Sequence, residues 1–404
     1  MASGGADWLQ GPHVYALFSS YGMTSKQINQ LFVVGFGSSM VFGTVVGSFA
    51  DKLGRKFNCI LYGVLYGMDC LAKHVPSYWV LMCGRLAGGM ATSILFSAFE
   101  SWVICEHDKQ GFGKSLLTDL FSNAVLGNSL VAIFAGLVAQ VVATHYGFIA
   151  PFSLSLLLLV VTSGIICCSW TENYGDVSGN VRLSSILQGI QVIRHDPKVL
   201  CLGLIQSLFE GSMYSFVLEW TPALTPGKFS PSLSVFIHFA INKVIYINPS
   251  QYLHLAISVM LGSRIFKLLS KVYSVESFMR PIFGIAALSL IIPIIAPKNQ
   301  SAIFVGFLVF ECCVGLFWPA MGVLRSKYVP ESTRATVMNI FRVPLNLIVI
   351  ILLVQDLALP SVFCCCVVFL ILCCAVQQRF FQLSTKCLGS LNEVKGELIA
   401  CKNI

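Results

Sequence analysis

Charged residues are scarce in this sequence. Asp, Glu, Lys and Arg make up only 11% of its 404 residues, against about 25% in soluble domains, whereas 56% of the residues are apolar. The mean hydropathy is +0.79. A soluble core of this size could not hide so much apolar surface. The composition therefore excludes an ordinary soluble protein and favours a chain whose solvent is lipid.

Signatures of several other protein classes are missing as well. The sequence has no Gly-x-Ser-x-Gly, no P-loop and no Gly-x-Gly-x-x-Gly, so we expect neither an enzyme nor a nucleotide or other cofactor. Its sixteen cysteines form no Cys-x-x-Cys pair and no zinc-spaced cluster, which predicts packing residues and no metal site. The net charge of +8 comes from Lys and Arg scattered over short loops, so no nucleic-acid partner is expected.

Long apolar runs dominate what is present. Windows of about twenty residues predict eleven membrane spans, at residues 28–50, 57–76, 78–105, 116–144, 148–169, 199–222, 250–270, 279–297, 300–325, 336–357 and 359–380. The segment 6–18 is too short to cross alone and is predicted to be the second half of a twelfth helix. Residues 1–5 lack the basic and apolar regions of a secretory signal.

A polar stretch divides the spans into two sets. Within it, residues 184–196 carry apolar side chains at helical spacing, which predicts an amphipathic surface helix. The predicted organisation is an N-terminal bundle at 1–169, a cytoplasmic linker at 170–198, a C-terminal bundle at 199–380 and a cytoplasmic tail at 381–404. The fold class is thus an all-α membrane protein.

Basic residues set the predicted orientation. Most lie in alternate loops with the charged turn 51–56, which the positive-inside rule places in the cytoplasm together with both termini. The basic residues assigned to this side are Lys52, Arg55, Lys56, Lys109, Lys114, Arg182, Arg194, Lys198, Arg264, Lys267, Lys271, Arg280, Arg325, Lys327 and Arg334.

A faint internal repeat relates the two sets of spans. Asp7-Trp8 with Pro12 in the first half has a counterpart in Glu219-Trp220-Thr-Pro222, and Asn128 has one in Asn346. Two related halves are typical of transporters with a binding site between them.

Several motifs resemble those of a known superfamily. The turn Gly47-Ser-Phe-Ala-Asp51-Lys-Leu-Gly54-Arg55-Lys56 resembles the loop signature of the major facilitator superfamily, and Arg85 with Gly88-Gly89 resembles its fourth-helix signature. More specifically, the chain resembles the molybdate-anion transporter family. Residues 330–334 resemble the superfamily's usual loop between its tenth and eleventh helices, whereas the segments that carry the resemblance to this family are residues 6–12, 96–102, 209–210, 220–222 and 341–345. It implies a fold of two six-helix bundles.

The sequence departs from that family in three places. Residues 228–255 do not resemble the family's eighth helix and are predicted to be an atypical insert. The family's first helix begins upstream of Ala6, so its first half is expected to be missing. The tail after Thr385 is also unlike the family.

Ionisable residues inside the spans are the natural site candidates, because a charge at the bilayer centre is costly. Arg342 and Arg85 are predicted to bind an oxyanion through the planar guanidinium fork. Further predicted substrate contacts are Gln10, Tyr15, Asn123, Asn128, Tyr214 and Trp220, and the predicted coupling acids are Asp7, Glu100, Glu210 and Glu311. The alternative for Arg85 is a structural pair with Glu100 or another acid.

Two further groups have predicted structural roles. The resemblance assigns Gly47, Asp51, Gly54, Arg55 and Lys56 to a gate lock in which the basic groups pair with acids. Asp69 and Lys73, at helical spacing, are predicted to form an ion pair at the outer rim.

The resulting hypothesis is a secondary active transporter that takes up molybdate or a similar oxyanion by alternating access, as a monomer in lipid, by default in the plasma membrane. Two alternatives stay open at this stage. One is a non-transporting sensor, scaffold or inactive truncated isoform. The other is a transporter of an organic solute.

Overall fold

The computed structural model describes residues 2–174, 183–224, 249–355 and 357–402. Within these residues all regular structure is helical. The helices are α1 Ala2–Gln10, α2 Val14–Ser20, α3 Ser25–Leu53, α4 Arg55–Ala72, α5 Tyr78–Leu95, α6 Ala98–Lys109, α7 Lys114–Tyr146, α8 Ala150–Ser169, α9 Leu183–His195, α10 Pro197–Leu224, α11 Pro249–Leu269, α12 Val275–Ile295, α13 Gln300–Tyr328, α14 Arg334–Val354 and α15 Leu359–Lys402. Single 3-10 turns lie at Gly11–His13 and Glu331–Thr333.

Length and apolarity explain why helices prevail. Lipid offers no hydrogen-bond partner, so a spanning segment must satisfy its own backbone groups. Among the described residues, nine helical segments are long and apolar enough to cross a membrane. The predicted spans 57–76 and 250–270 are helical too, as α4 and α11, but are not among those nine. Most of residues 228–255, the predicted insert, lie outside the described residues.

Local sequence sets the turn between α3 and α4 and the start of α3. Thr24 and Gln27 form a capping box: the Thr24 hydroxyl accepts from the Gln27 backbone and the Thr24 N–H donates to the Gln27 side chain. Gly54 ends α3 with φ of +113°, in a region that residues with a Cβ rarely adopt. The charged turn is therefore a sharp corner between two long helices.

Three predicted boundaries differ from the structure. The N-terminal segment is helical from Ala2 to Ser20 apart from the 3-10 turn, which contains Pro12, a residue with no backbone N–H to donate. The predicted span 78–105 is two helices, α5 and α6, separated at Phe96 and Ser97. The helix α15 continues to Lys402, well beyond the predicted end of the span at residue 380.

A helix, α9, is present where the linker was predicted to carry an amphipathic one. It packs on the start of α14, because a Cβ at Gly189 would lie only 3.1 Å from side-chain carbons of Thr336 and Ile340. Its other face leaves Leu187 and Ile190 exposed. The linker helix therefore lies beneath the junction of the two sets of spans.

Among the described residues, the two largest hydrophobic clusters lie one in each half of the chain. In the second half, rings stack around Phe209, whose centroid lies 4.0 Å from that of Phe317. In the first half, a separate cluster surrounds Tyr62 and Leu159. The halves meet where α3 packs on α14 and where α7 packs on α11. We call the end of the bundle at which α3 ends and α14 begins the basic end.

Candidate functional site

A buried pair of opposite charges lies within the second half, facing the first. Arg342 of α14 and Glu210 of α10 have side chains that are 3% and 0% exposed, and Arg342 Nη1 lies 3.8 Å from Glu210 Oε2. Among the described residues, no hydrogen-bond partner is present for either Glu210 oxygen or for Nε and Nη1 of Arg342. The two side chains are therefore close together and buried, and their hydrogen-bonding groups are only partly paired.

Helical periodicity brings these groups together. On α14, Met338, Arg342, Leu345 and Val349 follow one another at spacings of three and four and are all buried. On α10, Tyr214 lies one turn after Glu210 and packs edge-on against Phe36 of α3, with ring centroids 6.2 Å apart. The predicted residues Arg342, Glu210 and Tyr214 thus share one region between the halves.

An aromatic ring from the first half lies against the guanidinium. Arg342 Cζ is 4.3 Å from the centroid of Phe96, within the range of a cation–π interaction. The same ring stacks with Trp318 of α13, at 6.2 Å between centroids and 21° between planes. Phe96 is located at the break between α5 and α6, so this break places the ring on Arg342.

A second ion pair crosses between the halves one turn further on. Glu100 of α6 accepts two hydrogen bonds from Arg325 of α13, at 2.7 and 2.6 Å, and Arg325 also donates to Gln206 of α10 at 2.9 Å. The sequence assigned Arg325 to a cytoplasmic loop, and this was wrong: its side chain is only 4% exposed. Glu100 is therefore fully engaged by a partner in the second half.

A separate polar cluster holds the other predicted arginine. Asp69 of α4 accepts from Arg85 Nε at 3.1 Å, contacts Arg85 Nη2, and binds Lys73 at 2.7 Å. Lys73 also donates to Gln10 at 2.6 Å. Asp69 and Lys73 are each 1% exposed, so the predicted rim position was wrong, while the ion pair itself is present. Gly88 allows this burial, because a Cβ there would lie 3.0 Å from the Asp69 carboxyl carbon.

Further predicted residues lie in or near that cluster. Asp7 accepts from the Tyr66 hydroxyl, and Gln10 donates to Ser155 at 2.8 Å. Asn128 accepts from the Trp8 indole at 3.2 Å. Arg85, Gln10 and Asp7 therefore belong to a network inside the first half.

Of the two partners considered for Arg85, the structure shows another acid, Asp69, and not Glu100.

Four predicted site residues lie elsewhere. Tyr15 packs in an apolar cluster of the first half, and Trp220, 2% exposed, belongs to the core of the second half. Asn123 is exposed on α7 and Glu311 is half-buried in α13. A sequence window cannot tell which face of a helix a polar residue occupies, which is why these positions could not be ranked.

The gate motif makes contacts across the two halves. The Asp51 carboxylate accepts from the backbone N–H groups of Ala335 and Thr336, at 3.2 and 2.9 Å, and from the Thr336 hydroxyl at 3.0 Å. These N–H groups belong to the first turn of α14, where the helix dipole favours a negative charge. Asp51 of α3 therefore caps a helix of the opposite half.

The basic members of the motif extend this contact. Arg55 donates to Asp51 at 3.2 Å and to the Glu331 carbonyl at 2.8 Å, and it contacts the Glu331 carboxylate. Glu172 caps α4 by accepting from the N–H of Lys56 at 2.8 Å, and a Cβ at Gly54 would collide with this carboxylate. Gly47 lies in α3, one turn before Asp51.

Removing the Asp51 carboxylate should weaken closure at the basic end. We expect Asp51→Ala to destabilise the closed arrangement by roughly 1–2 kcal/mol, the usual cost of losing a helix cap, and thermal unfolding of the purified chain measures this loss. The matched control is Asp119→Ala, since Asp119 also pairs across the halves, with Lys267 at 3.0 Å, but in a partly exposed position. That change should cost less than about 1 kcal/mol. Equal effects of the two variants would contradict the claim that the buried contact between Asp51 and α14 holds the halves together.

The geometry and the comparisons identify the class together. A chain of two helical halves that meet around buried charges and close at one end has the architecture of a major facilitator transporter. The human organic anion transporter MFSD10 (TETRAN) superposes with a TM-score of 0.70 at 15% identity, covering 93% of this chain and 96% of that one. The E. coli fucose:proton symporter FucP gives 0.71 at 13% identity, covering 95% of each chain. At these identities the likeness concerns the fold.

Sequence comparison narrows the class. A family model described as sugar transporters with 12 transmembrane segments matches residues 1–317. The molybdate-anion transporter of Xenopus laevis is 34% identical over 358 residues, which cover 85% of this chain and 74% of that protein. That of Danio rerio is 30% identical over 376 residues, with the same coverages. This chain belongs to the molybdate-anion transporter family of the major facilitator superfamily, as its motifs predicted.

Proposed function

We propose that this protein transports molybdate or a similar tetrahedral oxyanion, and that Arg342 binds it. The observation that carries the proposal is the buried guanidinium of Arg342, whose Nε and Nη1 have no hydrogen-bond partner in the described part of the chain. A guanidinium presents planar, permanently charged donors that match an oxyanion. The names of the relatives supply molybdate, and the side-chain chemistry supports an anion.

Glu210 is the group that we assign to coupling. Arg342 and Glu210 are neutral as a pair, so a dianion that enters brings uncompensated negative charge into a buried place. A proton on Glu210 removes the carboxylate that competes for Arg342, and burial favours the neutral form of a carboxyl group. Protonated Glu210 can also donate a hydrogen bond to the anion. Binding of the anion and of a proton would then support each other.

Alternating access would use the contacts at the basic end. Three contacts hold the two halves together there. They are the hydrogen bonds from the first turn of α14 to Asp51, the bidentate Glu100–Arg325 pair, and the hydrogen bond from Asn339 to Ser97 at 2.8 Å. Opening this end requires that these contacts break as the halves rock about the midplane site. The basic end would face the cytoplasm, with both termini on that side of the plasma membrane, and the protein would act as a monomer.

Uptake into cells that lack their own molybdate transport tests this function. We expect expression of this protein to raise molybdate accumulation, and tungstate, another tetrahedral dianion, to compete strongly. A sugar should not compete. Accumulation equal to that of untransfected cells, with the protein present at the surface, would favour a sensor or inactive isoform. Competition by organic solutes but not by tungstate would favour an organic substrate.

A further inference from the structure

One short segment of the first half contacts the buried charges of the second half at several points. It is the junction between α5 and α6, residues 96–101. Phe96 lies against Arg342, the Ser97 hydroxyl accepts from Asn339, and Glu100 binds Arg325. A change in the charge or position of Arg342 or Arg325 would therefore act directly on this junction.

The junction is an irregular point in the backbone. Ser97 has φ of −128° and ψ of −55°, and its hydroxyl donates to the carbonyl of Ser93 at 2.6 Å. The N–H of Phe96 still reaches Thr92, at 3.3 Å, while α6 begins afresh at Ala98. The sequence has neither Gly nor Pro at the break. The break therefore serves to direct the Phe96 ring away from a continuous helix axis and onto Arg342.

The attraction between the ring and the guanidinium weakens when negative charge is added beside the cation. A cation–π interaction is electrostatic, between the ring quadrupole and the cation, and it is strongest in a desolvated site. Arg342 is 3% exposed, and the ring is also held by stacking on Trp318. The Arg342–Glu210 pair is neutral without anion, so a dianion bound to the fork of Arg342 gives the site a net negative charge. This added negative charge repels the face of the ring and so weakens this contact between the halves.

We propose that Phe96 is a positioning residue that couples anion binding at Arg342 to the separation of the two halves. The contact stabilises the empty, closed arrangement, and an anion at Arg342 loosens it. This inference rests on the proposed function, because it assumes that the anion binds at Arg342. It adds a role for an apolar residue whose side chain has no charge and no group that can form a hydrogen bond.

Fluorination of the ring tests the electrostatic part of the contact with little change of shape. Phe96 is replaced by phenylalanine with one, two or three ring fluorines, which progressively reduce the negative potential of the ring face. Tungstate affinity is measured by calorimetry on the full chain in lipid nanodiscs. We expect the affinity to rise stepwise with fluorine number, by about tenfold in total. The same series at Phe99, which packs edge-on against Tyr62 at 5.5 Å, is the matched control and should show no trend.

A stability measurement separates this inference from the proposed function. Without anion, the melting temperature should fall stepwise along the Phe96 series, and this trend should vanish in an Arg342→Gln background. A flat series in both measurements would overturn the coupling role of Phe96, as would a stability trend with unchanged tungstate affinity. Absence of any tungstate or molybdate binding by the unmodified protein would instead overturn the proposed function, and the coupling role with it.

Discussion

Replacing Arg342 by glutamine should abolish molybdate uptake, with a loss of at least about a hundredfold. Two effects combine in this result. The oxyanion loses its charged fork, and Glu210, which is 0% exposed, loses its only ion-pair partner among the described residues. Removing one charged partner from a buried binding contact typically costs about 2–5 kcal/mol of binding free energy, and a cost of about 3 kcal/mol corresponds to a factor of 100 or more. Initial uptake rates, normalised to surface expression, measure the change.

Two further variants locate the cause of that loss. Arg342→Lys keeps the charge but not the planar fork, so uptake should be intermediate. Arg280→Gln removes an exposed arginine of α12 that contacts Gln378, and uptake should stay at the level of the unmodified protein. Retention of more than half of the uptake by Arg342→Gln would show that the anion binds elsewhere.

Glu210→Gln should separate substrate exchange from proton-driven accumulation. A glutamine resembles the protonated carboxyl group, so it leaves the Arg342 fork available to the anion without taking up a proton. In proteoliposomes, we expect exchange of molybdate against molybdate to continue, while accumulation driven by a pH gradient falls by more than about tenfold. Uptake by the unmodified protein should rise as the external pH falls, and uptake by the variant should lose this dependence.

The control for this experiment is a glutamate away from the Arg342–Glu210 pair. Glu106 of α6 accepts from Gln110, just past the end of that helix, and from Thr171, so Glu106→Gln should keep both exchange and accumulation. If Glu210→Gln retained the pH dependence of the unmodified protein, the coupling proton would have to bind to a different group.

Much of the fold was predictable because lipid imposes strong rules on sequence. Long apolar runs marked nearly all the spans, and α9 followed from helical spacing in a polar stretch. Arg342 and Glu210 were chosen as candidates because ionisable residues inside a span are rare and costly, and their role in the site stays a prediction. Such reasoning works when one residue, by its type alone, conflicts with its surroundings.

The missed features depend on which residues face each other. Phe96 is an ordinary apolar residue in an apolar run, and the sequence has no Gly or Pro there that would predict the break between α5 and α6. Arg325 lies in the last turn of α13, where counting basic residues cannot tell an inward-facing side chain from one in the adjoining loop. Asp69 and Lys73 were predicted at the rim because each lies near a helix end, but the small Gly84 and Gly88 let α5 cover them.

The central claim is that the oxyanion binds at the fork of Arg342, between the two halves. The most direct measurement is the position of tungsten in crystals of the protein grown with tungstate, located by anomalous scattering. The account predicts one strong peak within about 4 Å of the Arg342 guanidinium, near Glu210, as charge-assisted hydrogen bonds are about 2.7–2.9 Å long. A peak at the Arg85 cluster, with none at Arg342, would contradict it.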